Sequence, residues 1–183
     1  LKAIHENENV TVITTFDALM NTQAPPEKIW QSVLDFASGD EISLDKEVKY
    51  IDAFIDFQQM GMENKSNVIF EKNIKNHNFM IPPMILQPLV ENSFKHSRVV
   101  NDPNGFVHFY LLQENNDLIF IARNSIKEMS VSIADENKKP RSGIGLENVK
   151  NRLELYYLNK YFFEAKQEGS TYVVTIKIGD IIN

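Results

Sequence analysis

The sequence predicts an α+β fold, a two-layer sandwich in which a mixed sheet of about five strands lies under three helices. Three observations predict it. Five short segments rich in β-branched and aromatic residues read as strands, from "VIFEKNI" (68–74) to "TYVVTIKI" (171–178). Three longer segments carry apolar residues at helical spacing and fall before or between those strands. Most links between the segments are short, so helices and strands pack into one unit with the helices on one face.

In chain order, residues 1–40 form a region apart. There "TTFDALMNTQAPPEKIWQSVLDFASGDE" reads as two short helical pieces broken at Pro25 and Pro26 and ending in a polar turn. The main domain is expected over 41–183. It opens with the helix "SLDKEVKYIDAFIDFQQM", with Ser43 at the N-cap, Asp45 and Glu47 in the first turn, and Leu44, Val48, Ile51 and Ile55 as the apolar stripe. After the strand 68–74 comes a helix over 84–97, preceded by Pro82 and Pro83, whose apolar face is Ile85, Leu86, Leu89 and Val90. "VHFYLLQ" (107–113) and "LIFIAR" (118–123) form a hairpin across the polar link "QENND". The third helix, "GLENVKNRLELYY" (145–157), is amphipathic through Leu146, Val149, Leu153 and Tyr156. "YFFEAK" (161–166) and "TYVVTIKI" (171–178) complete the strands. There is no internal repeat and no low-complexity tract.

Composition narrows the function classes. The chain has 183 residues, 43% hydrophobic and 24% charged, which are globular values. A formal charge of −6 argues against nonspecific binding to nucleic acid or to an anionic membrane. The absence of cysteine excludes disulfides and thiolate chemistry and fits a reducing compartment. No apolar run approaches the length of a membrane span and there is no signal peptide. The first residue is Leu1 rather than Met. The chain is therefore read as a fragment, with any membrane segment expected upstream.

The chemistry concentrates at two places. In the 84–97 helix the apolar run gives way to "ENSFKH", where Glu91 pairs with Lys95 and Asn92 lies one turn below His96. Taken alone, this fits a solvated face with one ion pair worth a few tenths of a kcal/mol. It also fits a site in which an amide beside a carboxylate holds hydrated Mg²⁺, and a lysine in the next turn neutralises phosphate. The second place is "RSGIGLENVKNRLEL" (141–155). Gly143 and Gly145 flank Ile144 just before a helix, where free N–H groups and the positive helix end converge, with Arg141, Lys150 and Arg152 nearby. Two glycines before a helix are weak evidence by themselves.

Together these stretches resemble a family. "IPPMILQPLVENSFKHS", then "GIGLENVKNRLELYY", then "EGSTYVVTIKI" is similar to the ATP-binding domain of sensor histidine kinases, and most of all to their autolysin-regulator branch. That fold belongs to the superfamily shared by gyrase, heat-shock ATPases, histidine kinases and mismatch-repair proteins. The likeness covers residues 42–178, including the approach helix "ISLDKEVKYIDAFIDFQQM". It implies that ATP with Mg²⁺ is the cofactor, with Asn92 as the Mg²⁺ ligand and Glu91, Lys95 and His96 around the nucleotide. Glu91 and Asn92 would carry the catalytic roles. It further implies that Gly143, Gly145 and Leu146 close on the phosphates, and that Ser170 and Thr171 lie beside the adenine pocket. The polar segment from Ile126 to Ser142 takes the place of the family's nucleotide lid and is expected to be mobile without ligand.

Two positions depart from the family. Its "DxGxG" aspartate, which accepts from the adenine amino group, is matched by Asn124 in "ARNSIKE", with no glycine following. An amide oxygen still accepts, without the charge-assisted part. The family's phospho-acceptor motif aligns with "VITTFDALMNTQ" (12–23), keeping Phe16, Ala18, Leu19 and Gln23 but placing Ile13 where the histidine stands. His5 lacks the apolar frame of that motif, and His77 and His108 fall in a polar link and a strand.

The resemblance therefore implies the ATP-binding catalytic region of a two-component sensor histidine kinase, transferring phosphoryl from ATP to a histidine. Residues 1–40 would be the remnant of its helical dimerisation and acceptor region. The alternative is a degenerate kinase acting as a scaffold or dimer partner with weak ATP binding or none. A serine-phosphorylating regulator of the anti-sigma type is disfavoured by the long "LQPLVENSFKH". The implied partners are a second copy in the full-length protein and a response regulator, with no nucleic acid and with membrane contact only through segments absent from this chain. The implied location is the cytoplasmic portion of an inner-membrane sensor.

Overall fold

The computed structural model describes residues 41–60, 62, 64–100, 102–126 and 144–179. Within them the elements are β1 (Ile42–Ser43), α1 (Leu44–Gln59), a 3₁₀ turn (Lys65–Asn67), β2 (Val68–Ile74), β3 (Met80–Ile81) and α2 (Gln87–His96). They continue with β4 (Val107–Glu114), β5 (Asp117–Ser125), α3 (Ile144–Tyr157), β6 (Tyr161–Glu168) and β7 (Thr171–Ile178). The expected helical pieces of residues 1–40, the acceptor position Ile13, and the lid segment beyond Ile126 with Arg141, Ser142 and Gly143 lie outside the described residues.

Five strands form one mixed sheet in the order β2-β4-β5-β7-β6, and β1 with β3 makes a separate small ladder. β2 and β4 run parallel, and the other neighbours are antiparallel. With the three helices this is the expected two-layer α+β sandwich. One face of the sheet carries Val107, Phe109 and Leu111 of β4, Leu118, Phe120 and Ala122 of β5, and Val174, Ile176 and Ile178 of β7, all buried. Period-2 alternation puts these side chains on one side. They meet Val48, Ile51 and Ile55 of α1, Leu89, Val90 and Phe94 of α2, and Val149 and Leu153 of α3 in one core. At its centre Phe109 stacks on Phe120 at 6.2 Å, and Phe94 of α2 meets Phe109 at 6.0 Å.

Helix starts differ from the simple reading, for a physical reason in each case. Ser43 occupies the N-cap of α1, but its hydroxyl makes no capping bond. The first amides instead donate to the neighbouring segment, Leu44 N–H to the Phe79 carbonyl at 2.7 Å and Asp45 N–H to the His77 carbonyl at 3.1 Å. α2 begins at Gln87 and not at residue 84, because Met84 has φ +56° and cannot continue a right-handed helix. Pro88 then sits in the first turn, where its missing N–H is no loss.

Candidate functional site

The polar end of α2 is built on a buried face. Leu89, Val90, Ser93 and Phe94 point into the core, with the Ser93 hydroxyl donating to the Leu89 carbonyl at 2.9 Å. That rotation leaves Glu91 and Asn92 half-buried at the border, and Lys95 and His96 exposed beyond it. Spacing alone pairs Glu91 with Lys95. The structure adds a partner one turn earlier, since Gln87 Nε2 donates to Glu91 Oε1 at 3.0 Å. Gln87 is itself buried. The desolvation His96 does suffer, and then the nearby Lys95 charge, hold its imidazole below the usual range.

Under α2 runs the end of β5, and the two elements pack directly together. Asn124 is 1% exposed and shares the helix-covered face with Phe120 and Ala122. Its Nδ2 donates to the Ser125 carbonyl at 3.1 Å. The register sets Asn124 opposite Tyr172 and Ser125 opposite Thr171. Thr171 therefore lies beside the Asn124–Ser125 strand end, while the residue that shares Asn124's face is Tyr172. Ser170 sits in the β6–β7 turn with Gly169 at φ +60°, and its carbonyl accepts from Ile126 N–H at 2.8 Å. The Ser125 hydroxyl accepts from Phe106 N–H at 3.0 Å and so fastens the loop that follows α2 to the strand end.

α3 also packs against α2. Gly145 is exposed in its first turn, and among the described residues outside its own turn a Cβ built there would meet no atom within 4 Å. The fold gives no steric reason for glycine at 145, whereas a ligand approaching the backbone would. Leu146 is half-buried against the core, Lys150 is exposed, and Arg152 reaches across to the Pro83 carbonyl, donating from Nη1 at 3.0 Å.

The two helix N-termini are not equivalent as anion sites. The start of α2 already holds a resident carboxylate. Glu47, fully buried on α1, accepts from Met84 N–H at 2.8 Å, Leu86 N–H at 3.0 Å and Gln87 N–H at 3.2 Å. Burial pushes the Glu47 carboxyl up, while those N–H groups and the Arg152 charge pull against it. An incoming phosphate would have to displace it. Among the described residues the start of α3 carries Glu147 as the acid of its first turn and an open glycine. Sequence reasoning put Glu47 to work on its own helix dipole and gave Gln87 and Tyr172 no role. Only the strand register could have pointed to Tyr172, and no local signal marks the other two.

Among the described residues no group of three or more His, Cys, Asp or Glu side chains could hold a metal ion, and no helix is long and apolar enough to cross a membrane. A divalent ion here would need oxygen ligands from elsewhere, as Mg²⁺ takes from phosphates and water, with the Asn92 amide as one protein ligand.

No family model matches this chain. Its architecture is nonetheless that of histidine kinase catalytic domains. The histidine kinase domain of the blue-light-activated kinase from Erythrobacter litoralis superposes with a TM-score of 0.53 at 10% identity, over 97% of this chain and 93% of that one. The sequence relatives are more particular. The sensor protein LytS of Streptococcus mutans is 25% identical over 152 residues, covering 76% of this chain and 26% of LytS. The sensor histidine kinase YpdA of Escherichia coli is 27% identical over 127 residues, covering 68% of this chain and 22% of YpdA. The chain is thus a homologue of LytS and other sensor histidine kinases. It spans about a quarter of the length of the curated relatives it matches.

Proposed function

We propose that this chain is the ATP-binding catalytic region of a two-component sensor histidine kinase. One observation carries the reading: the two motif-bearing helices, α2 and α3, lie in direct contact, with the buried amide of Asn124 on the strand beneath α2. In this reading Asn92 ligates Mg²⁺, Lys95 and the amides at the head of α3 face the phosphates, and Gly143 and Gly145 let the backbone approach them. Leu146 anchors that turn to the core. Asn124, Ser170 and Thr171 line the adenine side, and Glu91, oriented by Gln87, and His96 border the transfer site. Bound Mg²⁺–ATP supplies the phosphoryl group and much of the charge neutralisation, so the residues' work is positioning.

The acceptor is supplied in trans or by another residue, because Ile13 offers no nucleophile at the aligned position. Residues 1–40 are the remnant of a dimerisation region, and the whole protein pairs with a second copy and a response regulator at the cytoplasmic side of a membrane. A second reading, a scaffold with weak nucleotide binding or none, is favoured by Asn124, whose amide oxygen could accept from adenine only without the charge-assisted part.

Calorimetric titration of ATP with and without Mg²⁺ tests the choice. The kinase reading expects binding whose Mg²⁺-dependent part disappears in Asn92→Ala while the fold persists. Equal Mg²⁺ dependence in variant and parent removes Asn92 from the site, and no heat at millimolar ATP leaves the scaffold reading in its place.

A further inference from the structure

The segment from Pro82 to Gln87 joins β3 to α2, and all six of its residues are buried. It is held from two sides. From α1, Glu47 accepts the N–H groups of Met84, Leu86 and Gln87. From α3, Arg152 donates to the Pro83 carbonyl. Between these anchors Met84 adopts φ +56°, a left-handed conformation that a residue bearing a Cβ disfavours. Such a conformation persists only where its surroundings over-determine it. Here the Met84 N–H bond to Glu47 is one of those determinants.

We infer that Glu47 and Arg152 are positioning residues, a two-sided clamp that sets where the Asn92-bearing helix α2 begins relative to the glycine-headed helix α3. Arg152 sits two turns after Gly145 on the same helix. A displacement at the head of α3 is therefore transmitted through the guanidinium to Pro83, and from there to the first turn of α2. Glu47 supplies the fixed side, because α1 is packed on the core by Leu44, Val48, Ile51 and Ile55. Neither residue touches nucleotide in this arrangement. The consequence for nucleotide rests on the kinase reading above; the mechanical link between α3 and α2 does not.

The two are separated by measuring amide exchange and Mg²⁺–ATP affinity on the full chain for Arg152→Met, Arg152→Lys and Glu47→Gln. Arg152→Met keeps the aliphatic stem and removes the donor. Exchange at Met84, Leu86 and Gln87 should quicken by on the order of tenfold, while β4 and β5 exchange as in the parent. Arg152→Lys, which can still donate to Pro83, should restore most of the protection. Mg²⁺–ATP affinity should fall by roughly tenfold in Arg152→Met and recover in Arg152→Lys, the scale seen when groups that orient a ligand's contacts are removed. If Glu47→Gln fails to fold, the arginine pair still decides. Unchanged exchange at those three amides in Arg152→Met overturns the clamp, and quickened exchange with unchanged affinity overturns its role in positioning. If the parent itself binds no ATP, the kinase reading fails, and the exchange comparison alone decides whether α3 holds the start of α2.

Discussion

Asn124 of β5 and Tyr172 of β7 face each other directly across the ladder, on the side of the sheet that the helices cover. The pair explains why an asparagine fits at this buried position. A buried amide next to a half-buried phenol needs no counter-charge, and its Nδ2 already has the Ser125 carbonyl. Asn124→Asp would remove that donor and bury a carboxylate. The free protein should lose on the order of 1–3 kcal/mol, while on the kinase reading ATP binding should tighten by roughly tenfold through a charge-assisted bond to adenine. Thermal melts with and without Mg²⁺–ATP check both parts: a lower Tm alone, and a larger upward shift on adding nucleotide. An unchanged Tm would contradict the burial argument.

Two glycines should respond oppositely to alanine. At Gly105 an added Cβ runs into the backbone of Arg98 and Val99, which cannot swing aside as a side chain could. Asn67 also donates to the Gly105 carbonyl at 2.8 Å, so the loop has little room to shift. Gly105→Ala should cost about 2 kcal/mol or more in urea unfolding. Gly145→Ala meets open space and should leave stability equal or raised by up to about 1 kcal/mol. A large loss at 145 would mean that the fold, and not a ligand, requires the glycine.

Leu158 follows α3 with φ +44° and is 69% exposed, so it bears backbone strain without burying its side chain. Its N–H still closes the helix on the Glu154 carbonyl at 3.1 Å. Leu158→Gly should keep that bond and relieve the strain, raising stability by about 0.5–1 kcal/mol. Chemical denaturation measures it, and a destabilised variant would show that Leu158 packs in a way its exposure conceals.

His96 and His108 both have imidazoles held below the ordinary range, in each case by desolvation first. Lys95 adds to this at His96, and Arg123, opposite His108 on β5, adds to it there against a weaker pull from Glu71. A histidine whose folded pKa is lowered binds its proton more readily when unfolded. Its contribution is complete above the unfolded pKa near 6.5 and is lost as pH falls through that value towards the folded one. Melting temperature should thus decline between about pH 7.5 and 5.5, and His108→Gln should flatten part of that decline. A parent curve that is level across this range would remove the prediction.

Strand identity was legible because period-2 alternation is local. "VIFEKNI" and "TYVVTIKI" match β2 and β7 end to end, and the other three strands of the five-stranded sheet differ only by extra residues at their ends, whereas the two-residue β1 and β3 are too short to show an alternation and are not legible as strands. Helix existence was legible for the same reason, from stripes such as Leu44, Val48, Ile51 and Ile55. The family resemblance was legible because its motifs lie on contiguous stretches, and the relatives found agree with it.

What the sequence by itself determined was therefore what neighbours along the chain carry: the five strands of the main sheet, the three helices, and the motifs they bear. The tertiary structure alone decided what each polar group bonds to across sequence distance. Glu47 reads as a first-turn acid of its own helix, yet it is spent on amides of Met84, Leu86 and Gln87, 37 to 40 residues away. Arg152 reads as charge beside a phosphate loop, yet it reaches back 69 residues to Pro83. Ser43 has a capping residue's identity without its bond, and the carbonyls of Phe79 and His77 accept from the first two helix amides instead. The physical reason is common to all three. A buried donor or acceptor must find a partner, and packing of the apolar faces, not spacing in the sequence, determines which partner stands within reach.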